Sequence, residues 1–136
     1  MILSSLARLT AVTSALALAS VAHAQDKEIG EGLYADYCAV CHGATGKGDG
    51  DMANGLTIPS PNLTLLSKGN DGVFPMLQVI HIIDGRTGVR AHGGAMPLFG
   101  NMFSEQSVAG PDDYGSVLET RGRVLSLAMY LESIQN

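Results

Sequence analysis

Cys38-Ala39-Val40-Cys41-His42 brings two thiols and an imidazole together within five residues. This spacing is typical of the covalent attachment of c-type haem, in which both cysteines bond to the porphyrin edge and the histidine coordinates the iron. The chain has only these two cysteines. The motif therefore predicts one haem c, bonded to Cys38 and Cys41, with His42 as a metal ligand.

The first residues of the chain have the pattern of a secretory signal peptide. Arg8 precedes an apolar run over residues 9–19, and Ala22-His23-Ala24 follows at the spacing of a cleavage site. The run is shorter than the roughly 20 apolar residues that a membrane-spanning helix needs, so no permanent membrane anchor is expected. We expect cleavage before Gln25, with residues 1–24 removed and residues 25–136 forming one domain in the periplasm. Haem is attached to such motifs outside the bacterial inner membrane, so the two patterns agree.

Charge and composition limit the class of partner and the kind of core. The formal charge of the chain is −5, and removal of Arg8 with the signal peptide makes it −6. Nucleic acid is therefore not expected as a partner. The chain has no tryptophan, four tyrosines, three phenylalanines and 17 glycines. Its side chains provide little bulky apolar mass, which a buried porphyrin would supply.

Three segments have apolar positions at helical spacing, and no segment alternates convincingly as a strand, so the predicted fold class is all-α. The first helix begins after Asp26 and leads to the motif, the second runs from near Pro75 to Gly85, and the third runs from Arg121 or Gly122 to Ser133. The apolar positions are, in chain order, Ile29, Leu33 and Tyr37; Val73, Phe74, Leu77, Ile80 and Ile83; and Val124, Leu127, Ala128, Leu131 and Ile134.

Two glycines inside the first helix indicate a close contact. Gly30 and Gly32 each cost about 1 kcal/mol relative to alanine in a helix interior, which predicts a packing reason for them. We expect the third helix to cross the first at this point, with Tyr130 in the glycine notch. Between the helices, residues 43–72 and 85–110 are rich in glycine, proline and asparagine, and loops of this length are expected to wrap around something.

The second axial ligand is expected to be a methionine or a histidine. Met96 is the first candidate, because the glycines of Gly93-Gly94-Ala95-Met96-Pro97 permit a close approach and the proline stiffens the chain beyond the sulfur. Met102 and His92 remain as alternatives. Three further residues are interpreted as core or boundary residues of helices: Met76, Met129 and His81.

The order of these features resembles the class I, mono-haem c-type cytochromes over most of residues 25–136. The resemblance implies crossing N- and C-terminal helices, with a middle helix and long loops wrapped around one haem. It also implies that Pro61, in Pro61-Asn62-Leu63, accepts a hydrogen bond from the unligated nitrogen of His42, with Leu63 as a further cofactor-binding residue. Such a bond fixes the orientation of the imidazole and makes it a better donor.

The resemblance implies one-electron transfer by a His/Met-ligated haem in a periplasmic respiratory or dehydrogenase-linked chain. The protein would be an electron carrier rather than an enzyme, either free or as the cytochrome subunit of a larger oxidoreductase. Its partners would be redox proteins, such as a dehydrogenase, an oxidase or another cytochrome, and its acidity predicts that they carry a positive docking patch. The long polar connection over residues 104–119 is expected to cover the Met96 side of the haem or to dock a partner.

Three other interpretations remain open at this stage. A haem without Met96 ligation would be five-coordinate and would bind small gases or peroxide. A thiol-disulfide oxidoreductase pair would open a helix after a strand, a setting that the sequence does not predict. A structural zinc site would need a second pair of ligands at usable spacing.

Overall fold

The computed structural model describes residues 27–85, 96–111 and 113–136 of the chain. These ranges contain five α-helices, α1 at residues 27–37, α2 at Ala39–His42, α3 at Met76–Asp84, α4 at Phe99–Glu105 and α5 at Tyr114–Ser133. Short 3-10 turns lie at Ala53–Gly55, Leu63–Leu65 and Lys68–Asn70. The described residues form no strand, which agrees with the predicted all-α class. None of their helices is both long and apolar enough to cross a membrane. The predicted signal peptide and the predicted cap at Asp26 lie outside the described residues.

Helices α1 and α5 cross at Gly30, as the sequence predicts. A Cβ atom on Gly30 would overlap the carbonyl oxygen of Ser126 and would lie 2.8 Å from the Cβ atom of Tyr130. A Cβ atom on Gly32 would meet nothing within 4 Å. The prediction that a close helix contact explains the glycine is therefore confirmed for Gly30. It is wrong for Gly32, which lies on the exposed side of α1.

The buried face of α1 is shifted by one residue from the predicted stripe. Ile29 is 54% exposed, whereas Tyr34 is only 2% exposed. Gly30, Tyr34 and Cys38 follow one another at intervals of four and share the face that packs inward. The close approach of α5 at Gly30 sets this face, and Leu33 and Tyr37 lie half-buried along its edge.

Helix α3 ends as expected but buries a narrower face. Its C-cap is Gly85, in the left-handed conformation at φ 71°, where glycine carries no Cβ penalty. Val79 and Ile83 are buried, whereas Val73 and Leu77 are exposed by 65% and 66%. The predicted burial of these last two residues is wrong.

The region before the terminal helix contains more helix than the sequence predicts. Helix α4 lies inside the segment interpreted as a loop, and α5 begins at Tyr114 rather than at Arg121 or Gly122. The side chain of Asp113 caps α5 by accepting a hydrogen bond of 2.7 Å from the Gly115 amide. The two helices pack partly through small polar residues, since the Ser104 and Ser116 hydroxyls are hydrogen-bonded at 2.9 Å.

The polar connection between α4 and α5 is attached to α5. The buried Ser107 hydroxyl donates a hydrogen bond of 2.6 Å to Glu119. Arg123 donates to the same carboxylate and lies over the Phe103 ring, with its guanidinium carbon 5.5 Å from the ring centroid. Within the same stretch, Gln106 accepts a hydrogen bond of 3.1 Å from the Tyr37 hydroxyl. These contacts hold the connection against both α1 and α5.

Candidate functional site

A cavity of about 380 Å³ lies between the five helices and the loop that carries Pro61. Every helix contributes side chains to its wall, and most of them are apolar. Representative ones are Tyr34 from α1, Ile83 from α3, Phe99 from α4 and Leu127 from α5. The polar exceptions are concentrated in the motif at α2. The fold therefore builds one apolar chamber with reactive side chains on part of its wall.

The motif forms a helical turn that directs its functional side chains into this chamber. The Cys38 amide donates to the Tyr34 carbonyl at 2.9 Å, which continues the course of α1, and the His42 amide donates to the Cys38 carbonyl at 2.9 Å. Residues three and four apart lie on one face of a helix, so Cys38, Cys41 and His42 share a side. All three line the cavity.

Both cysteines are unpaired and half-buried, so two thiols are present for thioether bonds. Burial, followed by the nearby charge of Cys41, raises the pKa of Cys38 to about 12. At neutral pH the Cys38 side chain is therefore a thiol and not a thiolate. Helix α1 precedes the motif directly, so the strand-then-helix setting of a thiol-disulfide oxidoreductase is not what leads into Cys38.

The turn after the motif supplies hydrogen-bond donors to the backbone carbonyls that the short helix α2 leaves without a helical partner. The amides of Gly48, Gly50 and Met52 donate to the carbonyls of His42, Cys41 and Val40 at 2.8, 3.3 and 2.9 Å, in that order. A Cβ atom on Gly50 would lie 2.5 Å from the Val40 carbonyl oxygen, so only glycine permits this approach. The loop holds the motif in place through its backbone.

His42 is buried, with 8% of its surface exposed, and its Nδ1 atom lies 3.4 Å from the carbonyl oxygen of Pro61. Pro61 and Leu63 both line the cavity. A hydrogen bond donated by Nδ1 leaves Nε2 as the nitrogen with a lone pair for a metal. The structure thus brings together the motif and the Pro61-Asn62-Leu63 segment that the resemblance singles out.

The candidates for the second axial ligand occupy different places. Met96 and the following Pro97 line the cavity. Met102 lies on α4, half-buried against the core, and His81 lies half-buried on α3, and neither is among the cavity-lining residues. His92 lies outside the described residues. Met96 is therefore the candidate that shares the chamber with His42.

Met76 and Met129, interpreted from the sequence as core or boundary residues of helices, are half-buried. Met76, in the first turn of α3, packs against the core, in line with its interpretation as a core residue. Met129 lies on α5 next to Tyr130.

Tyr34 is a site residue that the sequence reasoning missed. Its hydroxyl donates a hydrogen bond of 2.7 Å to the carbonyl of Gly43, the residue after His42, and its ring lies 5.2 Å from that of Tyr130. Burial raises the pKa of Tyr34 above its ordinary value, with smaller contributions from Cys38 and other nearby groups. The available signal was its position, four residues after Gly30 and four before Cys38.

A second aromatic group lies along the other edge of α1. The Tyr37 ring packs edge-on against Phe103 and Phe99, with centroid distances of 5.3 and 6.3 Å. Tyr37 and Phe99 line the cavity. Phe99 and Phe103 belong to helix α4, which was not predicted, so their place beside the motif was not predicted either.

The donor set and the cavity fit a covalently attached haem. Two thiols, one imidazole nitrogen and one thioether sulfur line an apolar chamber, and thioether and imidazole are the axial ligands known for such groups. The described residues offer no cluster of three or more histidine, cysteine, aspartate or glutamate side chains that would hold a bare metal ion. The apolar wall, with the thiols, the imidazole and the thioether on it, suits a large apolar group that brings its own metal.

Comparison with known proteins agrees with this fit. The family model described as Cytochrome c matches residues 28–113, which include the motif, Pro61, Met96 and helix α4. No curated protein and no solved structure matches the chain.

Proposed function

Because this chain belongs to the cytochrome c family, we propose that it carries single electrons with one haem c bonded to Cys38 and Cys41 and ligated by His42 and Met96. Haem-based electron transfer follows from the family, and the four residues are our assignment. The observation that supports this assignment is that one apolar cavity is lined by both thiols, the imidazole and the Met96 thioether.

The residues of the chain have separate roles in this proposal. When bound, the haem supplies a one-electron iron couple. Cys38 and Cys41 fix the position of the group, and the Pro61 carbonyl orients His42 by accepting a hydrogen bond from its Nδ1 atom. The apolar wall keeps water away from the site. With His42 and Met96 both holding the iron, the proposed site would leave no coordination position for a substrate, so we assign the role of a carrier and not of an enzyme.

We further propose that the protein works in the periplasm after cleavage before Gln25. Its partners would be a dehydrogenase, an oxidase or another cytochrome. The charge of −6 on residues 25–136 supports a partner with a positive docking patch. The apolar run over residues 9–19 and the Ala22-His23-Ala24 site support export.

Replacing Met96 tests the ligation. The purified protein is expected to contain one covalent haem by the pyridine haemochrome assay. The oxidised form is expected to show the weak near-infrared charge-transfer band that the family resemblance implies for methionine ligation. Met96→Ala should keep the covalent haem and lose the band. Met102→Ala is the matched control, because Met102 is half-buried but does not line the cavity, and it should keep both.

Other results would point to different assignments. If Met96→Ala kept the band and Met102→Ala lost it, Met102 would be the ligand. If the unaltered protein lacked the band and bound carbon monoxide, the haem would be five-coordinate and suited to gases or peroxide. Absence of covalent haem from a protein matured in an exporting bacterium would contradict the whole proposal.

A further inference from the structure

The segment after α5 is hydrogen-bonded to the loop that carries Pro61. The Gln135 side-chain amide donates from Nε2 to the Leu63 carbonyl at 2.8 Å and to the Leu131 carbonyl at 2.6 Å. Its Oε1 atom accepts a hydrogen bond of 3.0 Å from the Ser67 amide. One side chain therefore spans from α5 to both ends of the stretch 63–67, which we name the Leu63 loop.

Asn136 adds a second set of bonds to the same loop. Its backbone amide donates to the Thr64 carbonyl at 3.0 Å, and its side-chain Nδ2 donates to the Thr64 hydroxyl at 2.8 Å. The Thr64 hydroxyl in turn donates to the Asn62 side chain at 2.8 Å. Thr64 is buried, with 5% of its surface exposed, so the Thr64 end of these bonds is shielded from water, whereas Asn136 is exposed. This chain of hydrogen bonds ends at Asn62, the residue that follows Pro61.

The bonded residues belong to both sides of the cavity wall. Leu63 and Leu66 line the cavity from the Leu63 loop, and Leu131 lines it from α5. The α5 end is itself fixed, because Leu131 is buried in the core. Gln135 therefore attaches the Leu63 loop to the end of α5, and this loop begins two residues after Pro61. The loop is also held on its other side, where the Leu63 amide donates to the Gly46 carbonyl at 2.7 Å.

We infer that Gln135 is a positioning residue, which holds the Pro61 carbonyl within reach of His42 Nδ1 and thereby influences the reduction potential of the site. This inference rests on the proposed function, since it concerns His42 as an iron ligand. The distance from Nδ1 to the Pro61 oxygen is 3.4 Å. Ordinary N–H···O bonds are about 2.7–3.2 Å long, so a small outward movement of the loop would remove this one.

The sign of the effect follows from the chemistry of the imidazole. A hydrogen bond donated by Nδ1 increases the electron density on the ligating nitrogen, and a stronger donor favours the oxidised iron. Loss of the Gln135 bonds lets the Leu63 loop move, weakens the bond to Pro61 and makes His42 a poorer donor. The reduction potential should then shift in the positive direction.

The test compares Gln135→Met with Ser133→Ala in the haem-loaded protein. Methionine has similar length and no amide, so it removes the loop bonds with little change in volume. Ser133 lies at the same end of α5 and donates a hydrogen bond of 2.8 Å to the Tyr130 carbonyl, so its replacement removes one bond of that helix end without touching the loop. The measurements are the reduction potential and the exchange rate of the His42 Nδ1 proton by NMR.

Gln135→Met should raise the potential and accelerate exchange of the Nδ1 proton, whereas Ser133→Ala should change neither. Asn136→Ala, which removes only the side-chain bond to Thr64, should shift both quantities in the same direction by a smaller amount and serves if Gln135→Met fails to fold. Unchanged potential and exchange in both loop variants would overturn the inference, and so would an equal shift in Ser133→Ala. Failure of the proposed function is distinct, because the unaltered protein would then lack covalent haem.

Discussion

Tyr34 shows how one side chain joins the fold to the site. It is held between α5 and the motif, with its ring against Tyr130 and its hydroxyl bonded to the Gly43 carbonyl. The bond satisfies a buried carbonyl next to His42, and such bonds contribute about 1 kcal/mol each. A phenylalanine would fill the same space but would leave the Gly43 carbonyl without this donor.

Tyr34→Phe should change how stability depends on pH. The raised pKa of Tyr34 means that, above about pH 10, the unfolded chain releases this proton while the folded chain keeps it. Below pH 10 the ionisation of Tyr34 therefore gives the free energy of unfolding no pH dependence, and above pH 10 it lowers this free energy by up to about 1.4 kcal/mol per pH unit. Tyr34→Phe should lower the free energy of unfolding by about 1 kcal/mol at pH 8, because one hydrogen bond is lost. Between pH 10 and 11 the free energy of unfolding of this variant should fall less steeply with pH than that of the unaltered protein.

Denaturant unfolding of the haem-loaded protein at several pH values measures this slope. Tyr114→Phe is the control, since Tyr114 is 74% exposed and should give the slope of the unaltered protein. An unchanged slope in Tyr34→Phe would show that Tyr34 ionises equally in both states.

Among the helices, the crossing of α1 and α5 depends on the absence of a Cβ atom at Gly30. The carbonyl of Ser126 occupies the space that a Cβ atom of Gly30 would need, so the two helices approach more closely than side chains normally permit. This close approach also sets which face of α1 is buried, and hence the direction in which Cys38 enters the cavity.

Gly30→Ala and Gly32→Ala should therefore have opposite effects on stability. Alanine is preferred to glycine in a helix by about 1 kcal/mol, and Gly32→Ala should gain most of this because nothing lies within 4 Å of its Cβ position. Gly30→Ala should lose about 1–3 kcal/mol, because the helices must separate to admit the extra atom. Thermal or denaturant unfolding of both variants gives the comparison, and equal changes of one sign would contradict it.

The elements differ in how far the sequence could predict them. The crossing at Gly30 was predictable, because glycine in a helix interior carries a cost that needs a reason. The apolar stripe of α5 was predictable too, since Val124, Leu127 and Leu131 are all buried. Helix α4 was missed although Phe99, Met102 and Phe103 stand at helical spacing, because the helix is only seven residues long and its second and third residues, Gly100 and Asn101, are poor helix formers.

For the whole molecule, the predictable part of the site was the part that is local in sequence. The spacing of Cys38, Cys41 and His42 indicates its chemistry, and the sequence around Met96 singles that residue out as a ligand candidate. Gln135 reaches the site through a contact with Leu63, 72 residues away along the chain, which the periodicity of a segment does not reveal. A resemblance singled out Pro61, and only the fold shows what holds its loop in place.

The net charge of the folded domain makes a prediction about its reactions with other redox agents. With a charge of −6 on residues 25–136, a cationic partner is attracted over the Debye length, which is about 10 Å at 0.1 M ionic strength. Attraction raises the rate of encounter, and added salt screens it. We therefore expect oxidation of the reduced protein by the cation tris(phenanthroline)cobalt(III) to slow as ionic strength rises.

Ferricyanide provides the matched control, because it is an anion that accepts one electron in the same way. The negative charge of the protein repels ferricyanide, so this reaction should accelerate as salt is added. In stopped-flow measurements, the rates with the two oxidants should therefore change with ionic strength in opposite directions. If the charges of the molecule lay away from the site of transfer, neither rate would respond to salt. That result would contradict a partner with a positive docking patch, while leaving the ligation by His42 and Met96 to be decided by the optical spectrum.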